Sequence, residues 1–184
     1  AAYKSGKPAL GVGLGNAPVI IDSTADLDQA ADLIMQSKTF DNATSCSSEN
    51  ALVIVNDVYD AAIKALEKHG GYMADKEERA RIVDRLWVDG KLNRAVIAQG
   101  PERLVDVFEL SPRARCCKFV MAEETGIGKA HPLSCEKLSL VLTIYRAKNF
   151  SDAKRLIKDI LDCDGRGRGC GVQADSMGGA RELA

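Results

Sequence analysis

Residues 40–50 read FDNATSCSSEN, a single thiol, Cys46, among small polar side chains. An apolar helical pattern precedes the stretch and an apolar strand pattern follows it, which sets Cys46 in a connecting loop, where reactive groups concentrate. Structural cysteines normally sit on apolar faces, so a thiol flanked by Asn42, Thr44, Ser45, Ser47 and Ser48 is a candidate nucleophile. A free thiol with a pKa of about 8.5 is only about 3% thiolate at pH 7, so that role requires nearby amides or a cation. The other cysteines, Cys116, Cys117, Cys135, Cys163 and Cys170, form no CxxC pair. With only two histidines in the chain, neither a zinc site nor a disulfide framework has the right spacing.

Two glycine-rich stretches could also meet a ligand. GVGLGN (11–16) looks like a phosphate-cradling loop, but it precedes a strand where such a loop must follow one and open a helix, so it reads as a tight turn. GRGRGCG (165–171) could offer amides and arginines to an anion, and a helix C-cap with a turn accounts for its glycines equally well. Glu136 stands beside Lys137 before a strand, a pattern that by itself reads as a solvated surface pair. His69 reads as a helix end and His131 as a loop residue.

These groups must be carried by elements. PVIID (18–22) suits a buried strand, STAD (23–26) supplies capping residues, and Leu27, Ala30, Ala31, Ile34 and Met35 fall at helical spacing to about Phe40. ALVIV (51–55) reads as a second strand, followed by DVYDAAIKALEKHGG, a helix with a terminal glycine. DKEERARIVDRLWVDG predicts a charged amphipathic helix, CKFVMAE and LSLVLTIYRA further strands, and SDAKRLIKDILDCDG a last helix. Alternation of this kind predicts an α/β fold with a mainly parallel sheet flanked by helices.

With 184 residues, 46% of them hydrophobic, the chain can bury a sizeable core in about one domain. Twenty-five basic and 26 acidic residues are spread along it for a net charge of -1, which gives no reason to expect nucleic acid or anionic membrane as a partner. No apolar run approaches the roughly 20 residues of a membrane span. The expected location is the cytoplasm, with a bacterial microcompartment as the alternative.

KTFDNATSCSSENALVIV, preceded by SGKPALGVGLGNAPVIIDSTADLDQA and followed by HPLSCEKLSLVLTIYRAKNF, resembles the aldehyde dehydrogenase superfamily, specifically its CoA-acylating branch. The SCSSEN variant is similar to that of sulfoacetaldehyde dehydrogenases. The resemblance implies that Cys46 is the nucleophile and that Glu136 positions the nicotinamide ribose of NAD or NADP. Asn42 would fix the loop bearing Cys46, and Arg168, where relatives carry a histidine, would be a contact for an anionic substrate or a plain surface residue. Relatives also carry a glycine and a proline where this chain has Cys135 and Leu140. Hydrolytic members place a glutamate base in the stretch corresponding to GVGLGN, which holds no acidic residue; coenzyme A is therefore the expected acyl acceptor. The same resemblance implies that residues 1–184 are the catalytic domain, that the cofactor-binding domain is absent from this chain, that the isolated fragment is inactive and that the full-length form is a homo-oligomer. A hydrolytic aldehyde dehydrogenase and a non-catalytic assembly domain are the alternatives, separated by CoA dependence and by thiol reactivity.

Overall fold

A computed structural model describes residues 2–8, 15–164 and 169–175. The strands are β1 (Pro18–Ile21), β2 (Ala51–Val55), β3 (Gly71–Met73), β4 (Trp87–Val88), β5 (Lys91–Leu92), β6 (Phe119–Glu123), β7 (Val141–Ala147) and β8 (Gly171–Gln173). The α-helices are α1 (Leu27–Thr39), α2 (Tyr59–Lys68), α3 (Lys76–Leu86), α4 (Pro101–Phe108) and α5 (Phe150–Asp164). Six strands form one sheet in the order β3-β6-β7-β2-β1-β8, with every neighbouring pair parallel, while β4 and β5 make a separate antiparallel hairpin. The expected α/β class with a mainly parallel sheet is the class observed.

The sheet is covered on both faces, which is why its central strands read as unbroken apolar runs instead of alternating ones. Along β2, Leu52 and Ile54 pack into one core with Ile34 of α1 and Leu66 of α2, and with Ile82 and Phe108 beyond them. Ala51, Val53 and Val55 point the other way, onto Ala153, Ile157 and Ile160 of α5. The helices start where the sequence supplies side-chain oxygens. Asp26 accepts from the amides of Asp28 and Gln29 to open α1, and Asp75 forms a reciprocal capping box with Glu78 at α3.

One expected element ends early. The helical reading of DKEERARIVDRLWVDG holds to Leu86, where β4 begins. Asp89 and Gly90 then take φ values of 51° and 70°, the two left-handed positions of a two-residue hairpin turn, and Trp87 pairs with Leu92. The Asp-Gly pair is a hairpin signal that the helical periodicity before it masks.

Candidate active site

The strands entering the centre of the sheet share one edge. Pro18 of β1 lies opposite Ala51 of β2, and Ala51 opposite Thr143 of β7. Because all three run parallel, the loop 40–50 before β2, Ala17 before β1 and the stretch 133–140 before β7 meet at the amino edge. There Cys46 lines a small pocket with Lys38, Ser48, Asn50, Glu136 and Leu138. Two of the expected site residues, Cys46 and Glu136, are thus brought together from distant parts of the chain.

The loop carrying Cys46 is held in an uncommon shape. Asp41, Asn42 and Ala43 have φ values of 49°, 51° and 61°, three consecutive left-handed residues, each of which costs roughly 1–2 kcal/mol for an L side chain. Strain of this kind persists only where surrounding contacts over-determine it. Here Asn42 Nδ2 donates to Ala98 O at 3.1 Å, and the Thr44 hydroxyl donates to Asp41 O at 2.6 Å. The Ser48 amide donates to Ser45 O at 3.0 Å, closing the turn around Cys46. Ala98, itself left-handed at 58°, donates its amide to Leu138 O, so the Cys46 loop is tied through Ala98 to the Glu136 stretch. Asn42 therefore contacts the loop's support.

A buried amide pair makes the second tie. Asn50 Nδ2 donates to Asn16 Oδ1 at 2.7 Å and to Cys135 O at 2.9 Å, and Asn16 Nδ2 donates to Ser134 O at 2.6 Å. The Lys137 amide closes back onto Asn50 Oδ1 at 3.3 Å. Lys137 is fully buried, with Nζ donating to Leu133 O at 2.8 Å and Cys135 O at 3.1 Å. Glu136 and Lys137 are accordingly not a solvated surface pair, and the lysine braces the turn on which Glu136 is presented.

Exposure alone does not distinguish Cys46, since Cys116, Cys163 and Cys170 are exposed as well. Burial pushes the Cys117 thiol up to about 11, which keeps it protonated near neutrality. What sets Cys46 apart is its pocket. The histidines stand elsewhere: His69 Nε2 lies 3.0 Å from Asp28 Oδ1, joining α2 to α1, and His131 Nδ1 lies 3.1 Å from Glu124 Oε1. Burial works to raise the Glu124 carboxyl, but the Thr125 and Gly126 amides, Arg79 and His131 together hold it below the ordinary range. A larger cavity of about 260 Å³ opens at the opposite, carboxyl edge beside Tyr59, Glu123 and Arg146. Its polar groups satisfy one another: the Tyr59 hydroxyl donates to Glu123 Oε1, and Arg146 lies 3.6 Å over the Tyr59 ring while bonding Asn56 and Asp60.

Arg168 and residues 11–14 of GVGLGN lie outside the described residues. Among the described residues, no group of three or more metal-ligating side chains is assembled, and no helix is long and apolar enough to cross a membrane. Lys38, Asn16 and Asn50 escaped the sequence reading. Asn50, a polar residue directly before the apolar run ALVIV, carried a faint signal; Lys38 in the last turn of a helix looks like any solvated helix-end lysine.

The aldehyde dehydrogenase family profile matches residues 2–73. The chain is 42% identical to an acylating sulfoacetaldehyde dehydrogenase of Cupriavidus necator, over 99% of this chain and 37% of that protein. It is 40% identical to a bifunctional aldehyde-alcohol dehydrogenase of Escherichia coli, over 91% of this chain and 19% of that protein. Its structure superimposes on an acetylating aldehyde dehydrogenase from Geobacillus thermoglucosidasius with a TM-score of 0.92 and 35% identity, covering all of this chain and 40% of that one. The chain thus spans well under half the length of the relatives it matches.

Proposed function

The chain belongs to the aldehyde dehydrogenase family, in its CoA-acylating branch, and on that premise we propose that the intact protein converts a short-chain aldehyde to its acyl-CoA, with Cys46 as nucleophile and NAD or NADP as oxidant. The observation that carries this reading is the shared pocket of Cys46 and Glu136. In the proposed reaction the Cys46 thiolate attacks the carbonyl carbon and forms a thiohemiacetal, whose oxyanion is met by backbone amides of the Cys46 turn. Glu136 would hold the nicotinamide ribose of a bound cofactor, and its place in the Cys46 pocket fits that task. The cofactor, when bound, supplies the hydride acceptor, and Cys46 is left as a thioester.

Release of the acyl group depends on a second nucleophile. With no acidic residue in GVGLGN, water lacks the base that would activate it, whereas a thiol is intrinsically the stronger nucleophile. Coenzyme A therefore takes the acyl group and Cys46 returns to the thiol. Residues 1–184 are proposed as the cysteine-bearing domain, with the dinucleotide phosphates held by a separate one. Sulfoacetaldehyde is the first substrate to try, in keeping with the 42% identical relative.

The test is NAD(P)H formation by the intact protein with and without coenzyme A. The expected result is rapid turnover with coenzyme A, about 10²- to 10⁴-fold slower turnover in water, and none in a Cys46→Ala variant. Equal rates with and without coenzyme A overturn the acylating assignment in favour of hydrolysis.

A further inference from the structure

The reaction above needs a group to take the thiol proton, and neither histidine lines the Cys46 pocket. Lys38 does. It is 1% exposed, and among the described residues its hydrogen bond is a donation from Nζ to Glu49 O at 2.8 Å. The Ser48 hydroxyl in the pocket lining is buried without a hydrogen-bond partner, and so is Oε2 of Glu49, the residue whose carbonyl Lys38 bonds. Each such orphan costs about 1–3 kcal/mol unless a ligand, a water or a moving proton meets it. A lysine serving only to brace the loop needs no such surroundings.

We infer that Lys38 is the proton-holding group of the Cys46 pocket, accepting the thiol proton as the nucleophile forms. The inference rests on the reading of Cys46 as the nucleophile. In the step, the S–H bond of Cys46 breaks and its proton joins the lone pair of a neutral Lys38 amine. The electron pair left on Sγ forms the S–C bond to the carbonyl carbon, and no oxidant enters this transfer. Burial disfavours the ammonium form and brings Lys38 down to about 7, with the Glu49 carboxylate opposing the shift. A surface lysine near 10.4 is protonated almost always at neutral pH, whereas burial makes the neutral amine of Lys38 accessible there. The titratable groups around Lys38, which lies in the last turn of α1, are Glu49 and Cys46 on the loop 40–50 and Glu136 before β7.

The test follows alkylation of Cys46 by iodoacetamide, mapped by peptide, between pH 5.5 and 9.5 in the intact protein, in parallel with acyl-CoA formation. The parent should show an inflection near pH 7 in both. Lys38→Met should lose that inflection and lower kcat/KM at pH 7 by about 10²-fold with KM little changed. Lys38→Arg keeps a cation in place but cannot accept a proton at neutral pH, so it should be as slow as Lys38→Met. Parental activity and pH profile in Lys38→Arg overturn the inference. Nζ resonances of ¹⁵N-lysine-labelled parent protein provide a readout independent of any variant's folding: a Lys38 midpoint near 7 supports the inference, and one above 10 overturns it. Acyl-CoA formation by Cys46→Ala would instead defeat the underlying nucleophile reading. A dead Cys46→Ala together with parental Lys38 variants defeats only the role given to Lys38.

Discussion

Two lysines at the site, Lys38 and Lys137, are buried in place of the water that lysines ordinarily keep, and each sets its amine on a main-chain carbonyl. For Lys38 this has a consequence for stability. Its folded value is about 7 and its ordinary value 10.5, so between these the unfolded chain binds more protons than the folded one. The parent should therefore gain stability as pH rises from about 7 towards 10.5 and be least stable, on this account, below 7. Lys38→Met removes that dependence. Its urea midpoint relative to the parent should be most favourable at pH 6 and should decline steadily by pH 9.5. A difference that stays flat across that range would contradict the buried, easily discharged lysine. Cys117 is the counterpart among the thiols, since burial above all, with Cys116 beside it, takes it out of reach of neutral-pH chemistry.

At the scale of elements, the site depends on three irregular stretches that brace one another: the left-handed turn at 41–43, the Ala98 turn and the approach to β7 through Leu138. Asn42 is well chosen for its place, because asparagine tolerates left-handed backbone better than most residues and its amide reaches Ala98 O. Asn42→Ala removes that bond and raises the backbone penalty together. Expected are a loss of about 1–2 kcal/mol in stability and slower alkylation of Cys46, with the far-UV spectrum unchanged. Asn42→Gly, which relieves the backbone but cannot make the bond, should recover part of the stability and little of the thiol reactivity. Full recovery of both in the glycine variant would show that the hydrogen bond to Ala98 does not position the thiol.

Over the whole molecule, the parallel sheet separates two cores and places the site at their common edge. Ile54 belongs to the core under α1 and α2, whereas Ile157 of α5 packs on the opposite face. Truncating either to alanine should cost about 2–5 kcal/mol. With the sheet between them, the double variant should lose the sum to within about 0.5 kcal/mol in urea unfolding. Marked non-additivity would mean that the two faces communicate through the sheet, which the separate packing clusters argue against. The placement of Cys46 is unusual for a parallel sheet, whose ligands generally sit outside the carboxyl ends of the strands. Here the cavity at the carboxyl edge is lined by Tyr59, Glu123 and Arg146, which pair with one another, and the thiol stands at the amino edge.

Local order was written in the sequence. ALVIV, the VLTIYRA part of LSLVLTIYRA and the capped helices at Asp26 and Asp75 fold as their propensities and caps dictate, because those signals act within a few residues. The same range explains why DRLWVDG misled: helical periodicity runs on to the residue before a hairpin whose existence depends on Trp87 meeting Leu92. Cys46 stood out by its polar neighbours, and Glu136 only through family resemblance, since a glutamate beside a lysine looks solvated until the strand register is known. The pairing of β1, β2 and β7 decided the rest. It brought the thiol, Glu136 and the Asn16–Asn50 brace to one edge and sealed Lys38 beneath them, and no short-range pattern can report a burial that distant segments create.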